Sequence, residues 1–146
     1  MSGQKEQEKG IDLKAYRKIL NCLELRSLQV DEGKFSFIRE NMVPNSNVHV
    51  NDYASYEIET SEIVSITHIY KLMVKNPENR KKILGINVTY KLSYHCKEKF
   101  PEDFFDLFKD VNLPINTWPF FREFVSNITS RMNIPPLTLP LLKKNL

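Results

Sequence analysis

Two stretches of alternating apolar and polar residues stand out in the middle of the chain. Every second position is hydrophobic or aromatic from Val64 to Val74, with His68 included in the series, and again from Leu84 to Tyr94. A period of two sustained over six positions is typical of a half-buried antiparallel strand. The polar residues 76–79 separate the two stretches, so the pattern predicts a long β-hairpin.

The first third of the chain mixes helical and extended patterns. Residues 11–20 have helical spacing with Asp12 as a candidate N-cap. An extended stretch follows, in which the apolar parity changes between Leu25 and Leu28, as it does at a β-bulge. The sequence Asp31-Glu32-Gly33 predicts a turn before the strand resumes. A loop over residues 40–47 then leads into a strand from Val48 to Ile58, with an interruption predicted near Asn51 and Asp52.

The last third has the pattern of helices. Pro101 with two acidic residues after it favours a helix start, and residues 112–114 are expected to break that helix. Thr117 is a candidate N-cap for an amphipathic helix with apolar residues three and four apart, ending before the two prolines at 135 and 136. Strands first and helices last predict an α+β domain, with the helices packed on one face of an antiparallel sheet. We expect residues 1–10 to be a disordered tail and residues 11–146 to form one domain.

Composition narrows the function classes. The net charge is +3 without a basic run or stripe, which disfavours nucleic-acid binding. The polar N-terminus and the absence of a long apolar run predict neither a signal peptide nor a membrane span. Cys22 and Cys96 are isolated, as reduced thiols of a cytoplasmic protein would be. The expected localisation is therefore cytoplasmic.

Catalytic signatures are missing from the sequence. No phosphate-binding loop, nucleophile elbow or zinc-ligand spacing is present, so neither a cofactor nor a metal is predicted. His68 could act as a general base, although a hydrogen-bonded core histidine is the favoured interpretation. The 16 aromatic residues exceed what an ordinary small core requires. Phe35, Phe37, Phe120 and the loop residue Met42 would be hard to bury within one subunit. They indicate an oligomer interface in addition to the core, an exposed apolar groove for a partner, or both.

The C-terminal third resembles the SecB family of protein-export chaperones. Residues 114–126, with Pro119, Phe120, Arg122 and Glu123, are similar to the start of the long SecB helix, and residues 127–132 are similar to its continuation. The segment 133–140 resembles the proline- and leucine-rich stretch that follows that helix. The resemblance implies a four-stranded antiparallel sheet with two helices, a homotetramer built as a dimer of dimers, and no catalysis or cofactor.

The resemblance also implies a function and residues that perform it. SecB holds non-native polypeptides in apolar grooves and passes them to the ATPase SecA. The resemblance implies client contacts at Met42, Val43, Val48, Val50, Tyr56, Ile58, Leu137, Leu139, Leu141 and Leu142. Phe35 and Phe37 are added to the expected client-binding residues because one subunit would hardly bury them. The expected oligomer interface comprises Trp118, Phe121, Phe124, Val125, Ile128 and Met132.

One departure from the family concerns the partner. Export SecB proteins usually have an acidic surface and an acidic tail, whereas this chain is basic overall and ends in Lys143-Lys144-Asn145-Leu146. The difference argues against a SecA partnership and leaves open a dedicated chaperone for a single partner, such as an antitoxin of a toxin–antitoxin pair. A small-ligand-binding or enzymatic α+β domain is a further alternative, which a closed polar pocket at His68 or His95 would favour.

Overall fold

The computed structural model describes residues 10–134 and 139–140. Most of the predicted tail and the expected client contacts Leu137, Leu141 and Leu142 lie outside these ranges. None of the described helices combines the length and hydropathy that a membrane-spanning segment requires. The elements in chain order are α1 (Leu13–Cys22), β1 (Glu24–Phe37), a 3₁₀ turn (Arg39–Asn41), β2 (Asn47–Ile58), β3 (Ile63–Lys75), β4 (Lys82–His95), α2 (Glu102–Val111) and α3 (Leu113–Ser130).

The four strands form one antiparallel sheet in the order β1-β4-β3-β2. This architecture confirms the predicted α+β class with a four-stranded sheet. Because β1 and β2 are consecutive in the chain but lie at opposite edges, residues 38–46 cross the end of β4 and β3. We call these residues the crossover segment. Its main chain is fixed to the sheet, since Ile38 N–H donates to the Ile83 carbonyl at 2.8 Å and Asn76 Nδ2 donates to the Asn41 carbonyl at 3.1 Å.

The predicted hairpin is confirmed as β3 and β4, and its alternating residues form the floor of the core. All of the inward residues from Val64 to Val74 and from Leu84 to Tyr94 are buried. Helices α2 and α3 cover this face, and Phe121 of α3 stacks on Tyr70 with ring centroids 4.7 Å apart. Burying one large apolar side chain contributes about 1.5–3 kcal/mol, so this aromatic layer supplies much of the stability.

Strand β1 contains the predicted bulge but not the predicted turn. Its register with β4 shifts between Leu25 and Ser27, which confirms the change of parity, and shifts again between Val30 and Glu32. The prediction of a turn at residues 31–33 is wrong because pairing with β4 continues through this second irregularity. The two shifts keep Val30, Gly33 and Phe35 on the helix side of the sheet, opposite Tyr90, Val88 and Ile86.

Two other local predictions are corrected by long-range contacts. Strand β2 has no interruption at Asn51 and Asp52, since it pairs with β3 without a register shift. The long helix α3 begins at Leu113 with Pro114 in its first turn, where a missing N–H costs no hydrogen bond. Thr117 is therefore inside the helix rather than its N-cap, and its hydroxyl is buried. The first helix is as predicted, with Asp12 Oδ1 accepting from Lys14 N–H at 3.2 Å.

Candidate peptide-binding site

The helical layer leaves two parts of the inner sheet face incompletely covered. Four strands place the outer strand axes about 14 Å apart, whereas one helix with its side chains is about 10 Å wide. Helix α2 lies over one end of the sheet, where Phe108 packs edge-on against Tyr94 and Phe105 contacts Tyr56. Towards the crossover segment only α3 remains, so apolar clefts persist at the end of the sheet and beside β1.

The first opening, here called the crossover cleft, lies where the crossover segment meets the end of α3. It has a volume of about 150 Å³. Its lining residues are Phe37, Met42, Val43, Ser46, Val48, Val74, Ile83, Leu84, Thr129 and Ile134. The floor of Val74, Ile83 and Leu84 is buried, while Met42 on the wall is 46% exposed. A flexible methionine thus stands in solvent over an apolar floor.

Polar contacts hold the walls of the crossover cleft in position. The Arg39 guanidinium lies 5.0 Å from the centroid of the Phe37 ring, and its Nη2 donates to the Met132 carbonyl at 2.5 Å. These contacts join the crossover segment to the chain just after α3. Ser46 Oγ donates to the Val43 carbonyl at 3.0 Å. The cleft is therefore formed within one protomer, so a ligand would meet a site with little ordering cost.

A buried polar network joins β2, β3 and α3 in the middle of the molecule. His68 Nε2 lies 2.8 Å from Asp52 Oδ2, and His68 Nδ1 lies 2.9 Å from Thr117 Oγ1. Thr117 Oγ1 is also 2.8 Å from the Tyr70 hydroxyl. Burial lowers the pKa of His68, and the hydrogen bond to Asp52 partly opposes that shift. The imidazole is fully buried and both ring nitrogens are engaged, so the network is structural and presents no base to a substrate.

The expected client-binding residues fall into several groups. Phe37, Met42, Val43 and Val48 come together in the crossover cleft. Val50 is the next inward residue along β2 and is half-buried. Leu139 is almost fully buried, with 4% of its surface exposed.

Two other expected client contacts lie at the far end of β2. Tyr56 packs against Phe105 and Phe100, with ring centroids 4.5 and 5.2 Å apart. Ile58 lines a separate cleft of about 430 Å³ with Val64 and Phe100. Because of this distance along the strand, neither residue belongs to the crossover cleft.

The second opening, here called the β1-side cleft, runs between β1 and α3 and contains the expected client contact Phe35. Its volume is about 490 Å³, and it is lined by Val30, Phe35, Tyr90, Phe120, Glu123, Phe124, Asn127, Ile128 and Arg131. Phe35 and Phe120 are 57% and 51% exposed. The Tyr90 hydroxyl at its base is buried without a hydrogen-bond partner among the described residues, and burial raises the pKa of that hydroxyl.

The residues expected at an oligomer interface also separate. Phe121, Val125 and Met132 are buried inside the protomer and have almost no surface to offer a second copy. Phe124 and Ile128 line the β1-side cleft. Trp118 lies on the opposite flank of α3, where its ring packs against Tyr70 with the ring centroids 5.7 Å apart.

Several cleft residues were missed by the sequence analysis. Ile83 and Ile134 line the crossover cleft, and Val30 and Tyr90 line the β1-side cleft. Val30 and Tyr90 lie on the inner face of the sheet, as the alternation of apolar residues predicts. That alternation does not predict which part of the inner face the helices leave uncovered. Phe120 was not missed, because the sequence marked it as hard to bury within one subunit, and it is four residues before Phe124 on the apolar side of the helix.

The architecture as a whole is the SecB-like fold. A SecB-like chaperone of Mycobacterium tuberculosis, Rv1957, solved in complex with a ChAD peptide from the HigA1 antitoxin, superposes with a TM-score of 0.76. The superposition covers 91% of this chain and 99% of that chain at 12% sequence identity. A Streptococcus agalactiae protein of unknown function covers 82% of this chain and 97% of its own at 14% identity and a TM-score of 0.44. No family model and no curated protein matches the sequence.

Proposed function

We propose that this protein is an ATP-independent holdase chaperone that binds apolar segments of non-native polypeptide in the crossover cleft. The observation that carries the proposal is the open apolar cleft itself. An exposed methionine stands over a buried aliphatic floor, and hydrogen bonds within the protomer hold its walls. Methionine adapts its shape to different apolar partners, as a site for many sequences requires.

The SecB-like fold supports this proposal. The SecB-like chaperone of Mycobacterium tuberculosis holds a peptide of an antitoxin, so the fold can accommodate a bound polypeptide segment. We propose Phe37, Met42, Val43 and Val48 as the principal client contacts, with Val50 extending the surface along β2. We further propose that the protein works without catalysis or cofactor and is cytoplasmic.

We propose that the β1-side cleft is covered by a second copy of the chain. Strand β1 is an edge strand of 14 residues, and an unprotected edge next to exposed Phe35 and Phe120 favours pairing with another strand. An antiparallel pair of β1 strands is self-complementary, as a two-fold interface requires. Phe124 and Ile128 would then belong to the contact between copies, within the dimer of dimers expected from the resemblance.

A dedicated chaperone for one partner is the second candidate. It is favoured by the antitoxin peptide in the neighbour's complex and by the basic charge of this chain, +3, which argues against an export partnership with SecA. The two candidates differ in selectivity. A general holdase would bind unrelated unfolded proteins with similar affinity, whereas a dedicated chaperone would bind a single partner at least about 100-fold more tightly, a difference of about 2.7 kcal/mol.

The test is an aggregation assay without nucleotide. Chemically unfolded citrate synthase is diluted into buffer with the protein at several-fold molar excess, and light scattering is followed with time. We expect scattering to be suppressed, with no change when ATP is added. Unchanged aggregation at every ratio, by a protein with the expected circular dichroism spectrum, would contradict the general holdase.

A further inference from the structure

The short segment Leu139–Pro140 is held against α3 by two side chains one helical turn apart. Trp118 Nε1–H donates to the Pro140 carbonyl at 2.9 Å, and Arg122 Nε–H donates to the Leu139 carbonyl at 2.8 Å. The Leu139 side chain is 4% exposed. Both hydrogen bonds end on main-chain carbonyls, which every polypeptide carries. The Trp118–Arg122 pair therefore recognises backbone rather than a particular side chain.

The segment after α3 also reaches the crossover cleft. Ile134 lines that cleft next to Thr129, whereas Leu139 lies at Arg122, about two helical turns nearer the start of α3. The indole of Trp118 packs against the rings of Tyr70 and Phe121, with ring centroids 5.7 and 5.9 Å apart. The Trp118–Arg122 pair is thus on the flank of α3 away from the β1-side cleft.

The segment held by Trp118 and Arg122 has the composition expected of a client. Between Ile134 and Leu142 only Thr138 is polar, and three of the nine residues are proline. A segment of this composition resembles an apolar stretch of a non-native chain. Its leucine is buried while its carbonyls are satisfied by side-chain donors, which are the two requirements for binding an extended apolar peptide.

We propose that Trp118 and Arg122 form a binding site for the main chain of an extended apolar segment, and that the protein's own Leu139–Pro140 occupies this site in competition with clients. The inference rests on the proposed function and extends it, since a client that binds in the crossover cleft and continues along α3 reaches Arg122, about two helical turns from Thr129, and then Trp118. A client has to displace the internal segment, so its apparent affinity is reduced by the fraction of molecules in which the segment is undocked. Weakly apolar chains are thereby rejected.

The decisive variant alters the internal segment and leaves the donors intact. Leu139→Ser in the full chain removes the buried leucine, and Leu13→Ser, a leucine on α1 that is 64% exposed, is the matched control. The probe is fluorescein-labelled α-lactalbumin that has been reduced and carboxymethylated, with binding followed by anisotropy. Because loss of one buried leucine raises the undocked fraction, we expect Leu139→Ser to bind about tenfold more tightly and Leu13→Ser to bind like the wild type.

A second measurement reports docking without any client. Trp118 is the only tryptophan in the chain, so its fluorescence reports the surroundings of the indole that donates to the Pro140 carbonyl. We expect Leu139→Ser to shift the emission to longer wavelength while the circular dichroism stays unchanged, and Leu13→Ser to leave the emission unchanged. An emission spectrum identical to that of the wild type would show that Leu139 does not hold the segment in place and would overturn the inference.

The binding outcomes separate the two proposals. Equal or weaker probe binding by Leu139→Ser, with normal binding by the wild type, would overturn the competitor role alone and make Leu139 part of the client-contacting wall. No probe binding by the wild type or by either variant would contradict the holdase function as well. Tighter binding together with the emission shift supports the inference.

Discussion

The crossover cleft and the β1-side cleft are two apolar openings beside the same helix, but they are built differently. The crossover cleft is small, with an adaptable Met42 over aliphatic residues, and the Arg39 contacts to Phe37 and Met132 hold its walls. The β1-side cleft is larger and aromatic, and it borders the free edge of β1. Phe35 and Phe37 are two residues apart on one face of one strand, yet each contributes to a different cleft.

The difference indicates different occupants. Rigid aromatic side chains next to an open strand edge suit one fixed partner surface, because such a surface can match their shape and pair the edge. A flexible methionine over an aliphatic floor suits many sequences, because it can repack around each of them. We therefore propose assembly at the β1-side cleft and client binding in the crossover cleft.

The largest expected effect is the loss of assembly when the β1-side cleft is made acidic. In Phe35→Asp/Phe120→Asp, two charges replace the exposed aromatic residues, and truncation of a residue at the centre of an interface costs about 2 kcal/mol or more where that residue is a hot spot. We expect association to weaken by at least about 100-fold. Light scattering should then show a fall from about four times 17.2 kDa to a smaller species.

The matched control is Tyr53→Asp, an aromatic residue of β2 that is 66% exposed and points to the opposite face of the sheet. It should leave the mass unchanged. A smaller species for Tyr53→Asp alone would place the interface on that other face and contradict the assignment.

The next effect concerns the polar network that joins β2 to α3. Thr117→Val leaves His68 Nδ1 and the Tyr70 hydroxyl without their partner, and a buried polar group left unpaired costs about 1–3 kcal/mol. We expect the free energy of unfolding to fall by about 2 kcal/mol, measured by urea denaturation. Hydrogen exchange should rise more in β2 than in β1, because only β2 is tied to α3 by this network.

The control is Thr67→Val, on the other face of β3. Its free energy of unfolding should stay within about 0.5 kcal/mol of the wild type. An equal loss of stability in both variants would contradict the role of the network.

A smaller effect is expected from Met42→Ser in the crossover cleft. Removing one partly buried apolar contact should weaken binding of an unfolded polypeptide about tenfold, measured by fluorescence anisotropy. Met73→Ser is a close control, because Met73 is 37% exposed on the opposite face of the sheet. The assembly state should be unchanged in both. Equal weakening in the two variants would mean that clients bind exposed apolar residues without regard to the cleft.

The smallest effect is a dependence of stability on pH through His68. Burial lowers its pKa below the usual 6.5, so the unfolded chain binds a proton at higher pH than the folded chain does. Stability from this group is fully present above about pH 6.5 and is lost as the pH falls towards the lower folded-state pKa. Urea midpoints measured between pH 7.5 and about 5.5 should fall with acidification, and they should fall less in His68→Gln. An identical slope in the two proteins would contradict this origin.

The sequence predicted the middle of the sheet better than its edges. Strands β3 and β4 are central and covered by helices, so their buried faces impose the strict alternation that made them recognisable. At the edge, Asp31-Glu32-Gly33 has local turn chemistry, but pairing with β4 overrides it through a register shift. Thr117 has the local features of an N-cap, whereas its hydroxyl is buried against His68. Local propensity was outweighed by long-range contacts in both places.

The candidate site was predictable only in part. The resemblance placed Met42, Val43 and Val48 among the client contacts, the surplus of aromatic residues added Phe37, and all four share one cleft. No pattern in the chain could have added Ile83 or Ile134, because their contribution depends on where the crossover segment meets the end of α3. The separation of Phe35 from Phe37 likewise depends on the position of α3 over the sheet.

Methyl NMR of the methionines tests the central claim most directly. The described residues include Met42 in the crossover cleft, Met73 on the opposite face and Met132 buried after α3, so the three methyl groups sample three environments. Titration with reduced and carboxymethylated α-lactalbumin should shift or broaden the Met42 signal and leave Met73 unchanged. A Met42 signal that does not respond to saturating polypeptide, or a Met73 signal that responds equally, would contradict client binding in the crossover cleft.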